Sequence, residues 1–168
     1  MRKLVPLLIL LIAGFGCAHS RGSFTDGRFA DGELEYRVGA LSGHWVVASR
    51  KPADVAFARP DLGATLYVDS SCKRYRDASL NVLANHLLFG FDDIEVLGQE
   101  LLEIDDREAL RRVVSARLDG VRIQLGVTVI KKNNCIFDLV LVAPQEAFED
   151  AWDDYVPFVE DFRVDSCP

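Results

Sequence analysis

Several motifs that identify common enzyme classes are missing from this chain of 168 residues. No serine stands in a Gly-x-Ser-x-Gly frame, including Ser42 within residues 40–43, so the nucleophile elbow of many serine hydrolases is excluded. The chain also has no Gly-x-Gly-x-x-Gly fingerprint and no P-loop, which are the usual phosphate-binding loops. We therefore expect no nucleotide cofactor, and we expect a protein that is not an enzyme.

Histidine is scarce, and the cysteines are far apart. The three histidines, His19, His44 and His86, form no His-Glu-x-x-His motif, and no two cysteines have the spacing of zinc ligands. The absence of a Cys-x-x-Cys pair removes support for a thioredoxin-like redox role, and we expect no metal site. Cys72 beside His44 or His86 could form a nucleophile and its base, but a disulfide or a buried thiol explains Cys72 more simply.

Positive charge is in deficit. The chain has 19 Lys and Arg against 26 Asp and Glu, a formal net charge of -7. If the first sixteen residues are removed, Arg2 and Lys3 leave with them, and 17 basic residues remain against 26 acidic ones, a charge of -9. Such a surface repels nucleic-acid phosphates and anionic lipid headgroups. We expect no nucleic-acid partner and no attachment to a membrane by charge alone.

The chain opens with an apolar run that is too short to span a bilayer. Residues 4–15 are apolar apart from Pro6 and Gly14, and they follow the basic residues Arg2 and Lys3. A membrane-spanning helix needs about 20 apolar residues, whereas this run has roughly a dozen. A positive start, a short apolar run and small residues after it are the pattern of a secretory signal peptide.

The end of this segment, Gly14-Phe15-Gly16-Cys17, resembles a bacterial lipobox. Gly16 and Cys17 match that pattern, although Phe15 is larger than usual and Gly14 stands where Leu is commonest. The resemblance implies that the signal is cut before Cys17 and that Cys17 carries acyl chains, so that the lipid bilayer is one partner. Ala18, where the family associates Asp with inner-membrane retention, favours the outer membrane with the domain facing the periplasm. An ordinary cut near Gly16 would instead release a soluble exported protein.

The chain divides into three segments by this interpretation. Residues 1–16 are a signal peptide, residues 17–23 are a lipidated N-terminus with a short polar tether, and residues 24–168 are a single domain. The 152 residues after the signal suit one domain that buries about two-thirds of its unfolded surface. The composition, 49% hydrophobic and 27% charged, is that of a globular protein.

Three cysteines remain if Cys17 carries lipid. An oxidising envelope would let one pair form a disulfide. We favour Cys72 with Cys135, because each lies where a predicted strand meets a turn, whereas Cys167 is one residue from the end of the chain. The alternative is three free or buried thiols.

Short strands and one helix are predicted in the first half of the domain. Turn signals at Asp26-Gly27 and Asp31-Gly32 favour a small opening hairpin. The strands are expected at residues 24–29, 33–38, 45–47, 55–57 and 65–68. A helix is expected to begin near Asp77 or Ser79 and to end at Gly90, with its apolar face formed by Leu80, Leu83, Ala84, Leu87 and Leu88.

Longer strands are predicted from residue 94 onward. Residues 94–102 and 109–118 are two predicted strands that are separated by a polar turn. The apolar residues within 110–118 also fit the spacing of a helix. We prefer the strand because Asp119-Gly120 is a strong hairpin turn that leads into five apolar residues at period two, residues 121–129. Residues 136–142 are apolar on both alternating faces except for Asp138. This strand is therefore expected at the centre of a sheet that is covered on both sides.

The chain closes with an amphipathic helix after Pro144, which Pro157 is expected to kink or split. Its apolar face, expected to pack on the sheet, comprises Phe148, Ala151, Trp152, Tyr155, Val156 and Val159. The result is an α+β fold, an antiparallel β-meander sheet flanked by helices.

The order of the last elements resembles the PsbP and DcrB type of α/β/α sandwich. These elements are the Asp119-Gly120 hairpin, a further strand, a proline and a helix that ends at Phe162. That resemblance implies a binding or accessory module.

Paired carboxylates are the remaining chemical candidates. Such pairs can bind a hard cation or act as acid and base, but adjacent carboxylates usually decorate turns and helix starts. The pairs are Asp92-Asp93, Asp105-Asp106 and Asp153-Asp154.

The sequence therefore favours a membrane-anchored envelope lipoprotein that binds or positions another envelope protein without catalysis. One alternative is a carrier or transport accessory that holds an apolar ligand between the sheet and the final helix. That alternative predicts an enclosed apolar cavity at this place.

Overall fold

The computed structural model describes residues 22–48, 53–72 and 78–168. Eleven strands and two helices lie in this part of the chain. In order they are β1 (Ser23–Thr25), β2 (Arg28–Asp31), β3 (Leu34–Arg37), β4 (Val46–Val47), β5 (Val55–Arg59), β6 (Ala64–Cys72), α1 (Leu80–His86), β7 (Asp92–Ile104), β8 (Arg107–Leu118), β9 (Val121–Lys132), β10 (Cys135–Pro144), α2 (Phe148–Glu160) and β11 (Arg163–Ser166). A single 3-10 turn, Gln145–Ala147, leads into α2.

The strands form two antiparallel sheets. The larger sheet has seven strands in the order β4-β5-β6-β10-β9-β8-β7, and the smaller has four in the order β1-β2-β3-β11. The second sheet and β11 are differences from the sequence prediction, which had one sheet. The predicted opening hairpin consists of three strands. A turn forms at each of the two Asp-Gly signals, and β2, the strand between these turns, pairs with β1 on one side and with β3 on the other.

Consecutive pairing of β7, β8, β9 and β10 builds four of the seven strands of the large sheet. The turn at Asp119-Gly120 has positive φ at both residues and pairs Leu118 with Val121, as the sequence predicted. Residues 110–118 are strand, so the helical alternative for this segment is wrong. The turn at residues 133–134 likewise has positive φ at both asparagines.

β10 is the middle strand of the large sheet, and both of its faces are buried. Phe137, Leu139 and Leu141 belong to one apolar cluster, whereas Ile136 and Val140 belong to another. The prediction of a central strand covered on both sides is confirmed. The first cluster is covered by α2 and the small sheet, and the second is covered by α1.

The helices differ from the prediction at their ends. The side chain of Ser79 accepts a hydrogen bond from Val82 N and caps α1, but α1 ends at His86, and turns lead from there to Gly90. α2 continues through Pro157 to Glu160, so this proline does not split the helix. The carbonyl of Pro157 accepts the backbone N–H of Asp161, the C-cap residue, and this bond completes the last turn of the helix.

Candidate functional site

Cys17, the expected lipidation site, lies outside the residues that the structure describes. Within the described part, Ser23 is already the first residue of β1, although the sequence interpretation placed it in the tether. A side chain at Gly22 would collide with the ring of Phe29, so the chain is packed from Gly22 onward. Among residues 22–48, 53–72 and 78–168, no helix combines the length and apolar character needed to cross a membrane.

Cys72 and Cys135, the pair that the sequence favoured, form a disulfide. They are directly opposite each other in the β6–β10 register, so the strand pairing brings the two side chains together. Cys167 is a free, half-buried thiol, and burial raises its pKa. A thiol with a raised pKa is a poor nucleophile at neutral pH, because little of it is thiolate.

Two of the three carboxylate pairs lie in or beside turns of the large sheet. Asp93 is exposed and forms an ion pair with Arg117 at 3.0 Å. Asp105 forms an ion pair with Lys132 at 2.6 Å and accepts the backbone N–H of Val164 at 2.9 Å. Asp105 therefore joins the β7–β8 turn to β9 and β11, which is a structural role.

The third pair separates into two different residues. Asp153 is exposed, whereas one oxygen of Asp154, Oδ2, accepts three hydrogen bonds. The donors are Ser42 Oγ at 3.2 Å, Trp45 Nε1 at 2.8 Å and an Arg59 guanidinium nitrogen at 2.9 Å. Asp154 therefore fastens the loop before β4 to α2 and β5.

Two of the three histidines, His44 and His86, lie in the described part of the chain. His44 and His86 are exposed, and His86 lies beside the ring of Phe89 with the ring centroids 5.6 Å apart. Cys72 is in the disulfide, which removes it as a nucleophile. The described residues contain no group of three or more His, Cys, Asp or Glu that could hold a metal ion.

Three partly buried carboxylates lie on β6, on β10 and at the residue before β5. Asp69 and Asp138 are directly opposite each other in the β6–β10 register. Burial, and then the negative charge of Asp69, raise the pKa of Asp138 to about 7, and Asp138 Oδ1 is buried without a hydrogen-bond partner in the described part. Burial raises the pKa of Asp54 to about 6, although Ser70 and Tyr36 donate hydrogen bonds to it.

Arg112 forms a second polar cluster, on the α1 side of the sheet. Its side chain is buried and donates to Gln99 of β7 at 2.6 Å and to Asn85 and Asn81 of α1 at 2.6 and 2.7 Å. Burial lowers its pKa. Three neutral acceptors surround the guanidinium, so Arg112 ties α1 to β8 and β7.

The interface between α2 and the sheet is filled where the aromatic residues of α2 lie. A Cβ at Gly126 would be 2.5 Å from the ring of Trp152, so this indole packs directly on the β9 backbone. Tyr155 is fully buried, and its hydroxyl donates to the Leu139 carbonyl at 2.8 Å and accepts from the Thr128 hydroxyl at 2.7 Å. The predicted carrier cavity has no space at this position.

A shallow depression lies at the other end of α2, next to the small sheet. It has a volume of about 330 Å³ and is open to solvent. Apolar side chains supply much of its wall: Phe24, Val38, Leu41, Phe57 and Phe158.

In the described part of the chain, β7, the last strand of the large sheet, has more exposed large apolar residues than any other element. Twelve of its thirteen residues are exposed or half-buried. Leu101 is 60% exposed, and Ile94 and Val96 are 46% and 49% exposed. Apolar exposure of this extent on an edge strand is a feature of binding surfaces.

Comparison with known proteins gives matches to solved structures only. No protein-family model matches this sequence. No curated protein sequence matches it either.

Two solved structures have a similar fold. The first is LpqN of Mycobacterium tuberculosis, described as involved in cell envelope biogenesis, with a TM-score of 0.60 and 10% identity over 80% of this chain and 86% of LpqN. The second is cyanobacterial PsbP from Synechocystis sp. PCC 6803, with a TM-score of 0.59 and 12% identity over 82% of this chain and 91% of that protein. At these identities the likeness concerns the fold, and the chain has a PsbP-like arrangement of antiparallel sheets and helices.

The sequence interpretation missed the β7 surface, the Asp154 contacts and the Arg112 cluster. The first could have been found, because residues 92–104 lack a uniformly apolar face and carry five acids. The other two depend on contacts between residues more than 25 positions apart, which no local pattern reveals.

Proposed function

We propose that this protein is an envelope lipoprotein, anchored through Cys17, whose domain binds another envelope protein without catalysing a reaction. The observation that carries the binding role is the exposed apolar side of β7. Soluble domains seldom leave a long edge strand uncovered, since its free N–H and C=O groups invite pairing with other chains. Leu101, near the end of this strand, leaves 60% of its surface exposed to solvent.

The envelope location rests on two supports. The first is the signal-like segment ending in Gly16-Cys17. The second is the fold shared with LpqN, a protein described as involved in cell envelope biogenesis. The disulfide between Cys72 and Cys135 agrees with an exported protein, because disulfides persist in oxidising compartments.

Mass spectrometry of the mature protein tests the anchor. We expect an N-terminal acylated cysteine at position 17 and recovery in the membrane fraction. Cys17→Ser should abolish acylation and move the protein to the aqueous fraction, whereas Cys167→Ser, the matched control, should change neither result. An unmodified N-terminus on soluble wild-type protein would contradict the lipoprotein assignment.

A carrier for an apolar ligand is the second candidate, and the open depression beside Phe158 favours it. A fluorescent apolar probe such as N-phenylnaphthylamine tests this role. If the depression binds apolar molecules, the probe should brighten with the wild-type protein, and Leu41→Asp should remove the signal. An unchanged signal with Leu41→Asp would exclude this depression as the binding site.

A further inference from the structure

The outer edge of β7 offers a regular backbone ladder. β7 pairs with β8 on one side and is the terminal strand of the seven-stranded sheet, so within the described residues no strand pairs with its other side. Two register shifts interrupt the first half of β7, between Asp92 and Glu95 and between Val96 and Gly98. Bulges of this kind hinder pairing at an edge. Residues 98–104 pair one by one with β8, and they can therefore accept a further strand.

Side chains beside this ladder form an apolar row on the α1 side. Val96 is opposite Val114 and Leu101 is opposite Leu110, and both β8 residues belong to the core cluster beneath α1. Directly opposed residues point to the same face of a sheet. Val96 and Leu101 therefore extend the apolar face of the sheet outward, where an added strand would cover them.

Charge on β7 has one sign. The strand carries five acidic residues and no basic residue: Asp92, Asp93, Glu95, Glu100 and Glu103. Asp93 and Glu100 have arginine partners on β8, whereas Glu95 and Glu103 are exposed and have no ion-pair partner in the described part of the chain. Glu103, opposite Glu108, lies on the α1 side at one end of the apolar row, whereas Glu95, opposite Ser115, lies at the other end and on the other face of the sheet. Successive residues of a strand point to opposite faces, so an incoming strand with two basic residues at each end would supply a partner for both glutamates.

The same charges argue against a second copy of this chain as the occupant. Pairing of β7 with β7 of another copy would place ten carboxylates on two adjacent strands. Like charges opposite each other destabilise a sheet.

We propose that the β7 edge surface binds an extended segment of a partner protein in which basic residues flank an apolar centre. The β7 edge surface is the ladder of residues 98–104 with the side chains of Glu95, Val96, Leu101 and Glu103. The segment adds an eighth strand to the sheet, covers Val96 and Leu101 with its apolar residues and pairs its basic residues with the two glutamates. This inference rests on the proposed partner-binding function and names its surface.

Synthetic peptides test this surface on the purified mature protein. The probe is a ten-residue peptide, capped at both ends, with two lysines at each end and alternating valine and threonine between them. Binding is measured by calorimetry. One control peptide has the same side chains with alternate backbone nitrogens methylated, which removes the donors for strand addition but keeps the charge. We expect the unmodified peptide to bind at least about tenfold more tightly than the methylated one.

Paired protein variants locate the site. Glu95→Lys with Glu103→Lys should weaken binding of the peptide by about tenfold or more, because two attractive contacts become repulsive. The lysine introduced in place of Glu103 would lie opposite Glu108, so the variant is expected to remain folded. The matched control reverses two exposed acids of α2, Glu149→Lys with Asp153→Lys, and should leave the affinity within about twofold. Leu101→Thr should weaken binding without a change of charge.

Three results would overturn the proposal. The first is equally tight binding of the methylated and unmodified peptides. The second is a loss of affinity in the α2 control variant equal to that in the β7 variant. The third is a dimer of the free protein that Leu101→Thr dissociates, because a second copy of the chain would then be the occupant. If the protein is acylated and still co-isolates with an envelope partner after the β7 substitutions, the proposed binding surface is wrong. The proposed function would remain intact.

Discussion

Asp69 and Asp138 face each other directly across the β6–β10 strand pair, three register positions from the disulfide of the same two strands. Two carboxylates in direct opposition repel each other when both are ionised. Burial has the larger effect, because it removes charge from water, and burial and the charge of Asp69 together raise the pKa of Asp138 to about 7. At neutral pH the folded protein therefore carries an unfavourable interaction at the centre of its main sheet.

Asp138→Asn should stabilise the protein above pH 7. An unfolded Asp titrates near pH 3.9, whereas folded Asp138 titrates near 7, so between these values the native state holds a proton that the unfolded state has lost. Stability contributed by this group falls as the pH rises through that window. The substitution should therefore add roughly 1 to 3 kcal/mol at pH 8 and almost nothing at pH 3.5.

Urea unfolding of the disulfide-intact protein at the two pH values measures this difference. Asp119→Asn, at an exposed turn position, is the control and should have the same small effect at both. A gain for Asp138→Asn that does not change with pH would reject the titration argument.

Asp154→Ala should destabilise the protein by about 2 to 3 kcal/mol, because it leaves Trp45 Nε1 without its acceptor and removes the ion pair between Asp154 and the Arg59 guanidinium. Asp153→Ala removes the exposed neighbour on the same helix and should cost less than about 0.5 kcal/mol. Urea unfolding monitored by tryptophan fluorescence reports both. Equal costs for the two residues would show that the Trp45 contact contributes nothing measurable.

Arg112→Ala should loosen α1, since the guanidinium joins Asn81 and Asn85 of the helix to Gln99 of β7. We expect a loss of about 2 to 3 kcal/mol and faster amide hydrogen exchange in α1 than in α2. Arg122→Ala, at an exposed position of β9, is the control and should leave the exchange of α1 unchanged. Unaltered exchange in α1 after Arg112→Ala would remove the role given to this cluster.

Gly126→Ala should cost about 1 to 3 kcal/mol, because the new methyl group would occupy the place of the Trp152 ring. The displaced indole should also change the near-ultraviolet circular dichroism. Gly43→Ala, where the surrounding space is open, is the matched control and should have little effect on either measurement. A stable Gly126→Ala protein with unchanged dichroism would mean that α2 can move away from β9 without cost.

The large sheet was accessible to sequence reasoning because its signals are local. Period-two alternation over residues 121–129 and the Asp119-Gly120 turn fix the β8–β9 hairpin without tertiary information. β10 has apolar residues on both faces, which predicts a central position. The disulfide was favoured from signals of the same kind, since Cys72 and Cys135 each lie where a predicted strand meets a turn, and the structure shows that these two strands pair with each other.

The small sheet was not accessible in the same way. β11 has only four residues, and it pairs with β3 more than 120 positions earlier in the chain. Arg37 and Asp165 join the two strands at 2.9 Å, a contact that neither local sequence indicates. The exposure of β7, in contrast, has a local signal, because residues 92–104 carry five acids and lack a uniformly apolar face.

The Cys72–Cys135 disulfide closes a covalent loop that contains α1, β7, β8 and β9. A single backbone cut anywhere in this loop would leave both fragments attached to each other. A protease that nicks the β7–β8 turn therefore cannot shed the edge strand, and the cleaved protein would migrate as one species until a thiol reductant separates it. The strand with the most exposed surface is in this way protected against loss by proteolysis.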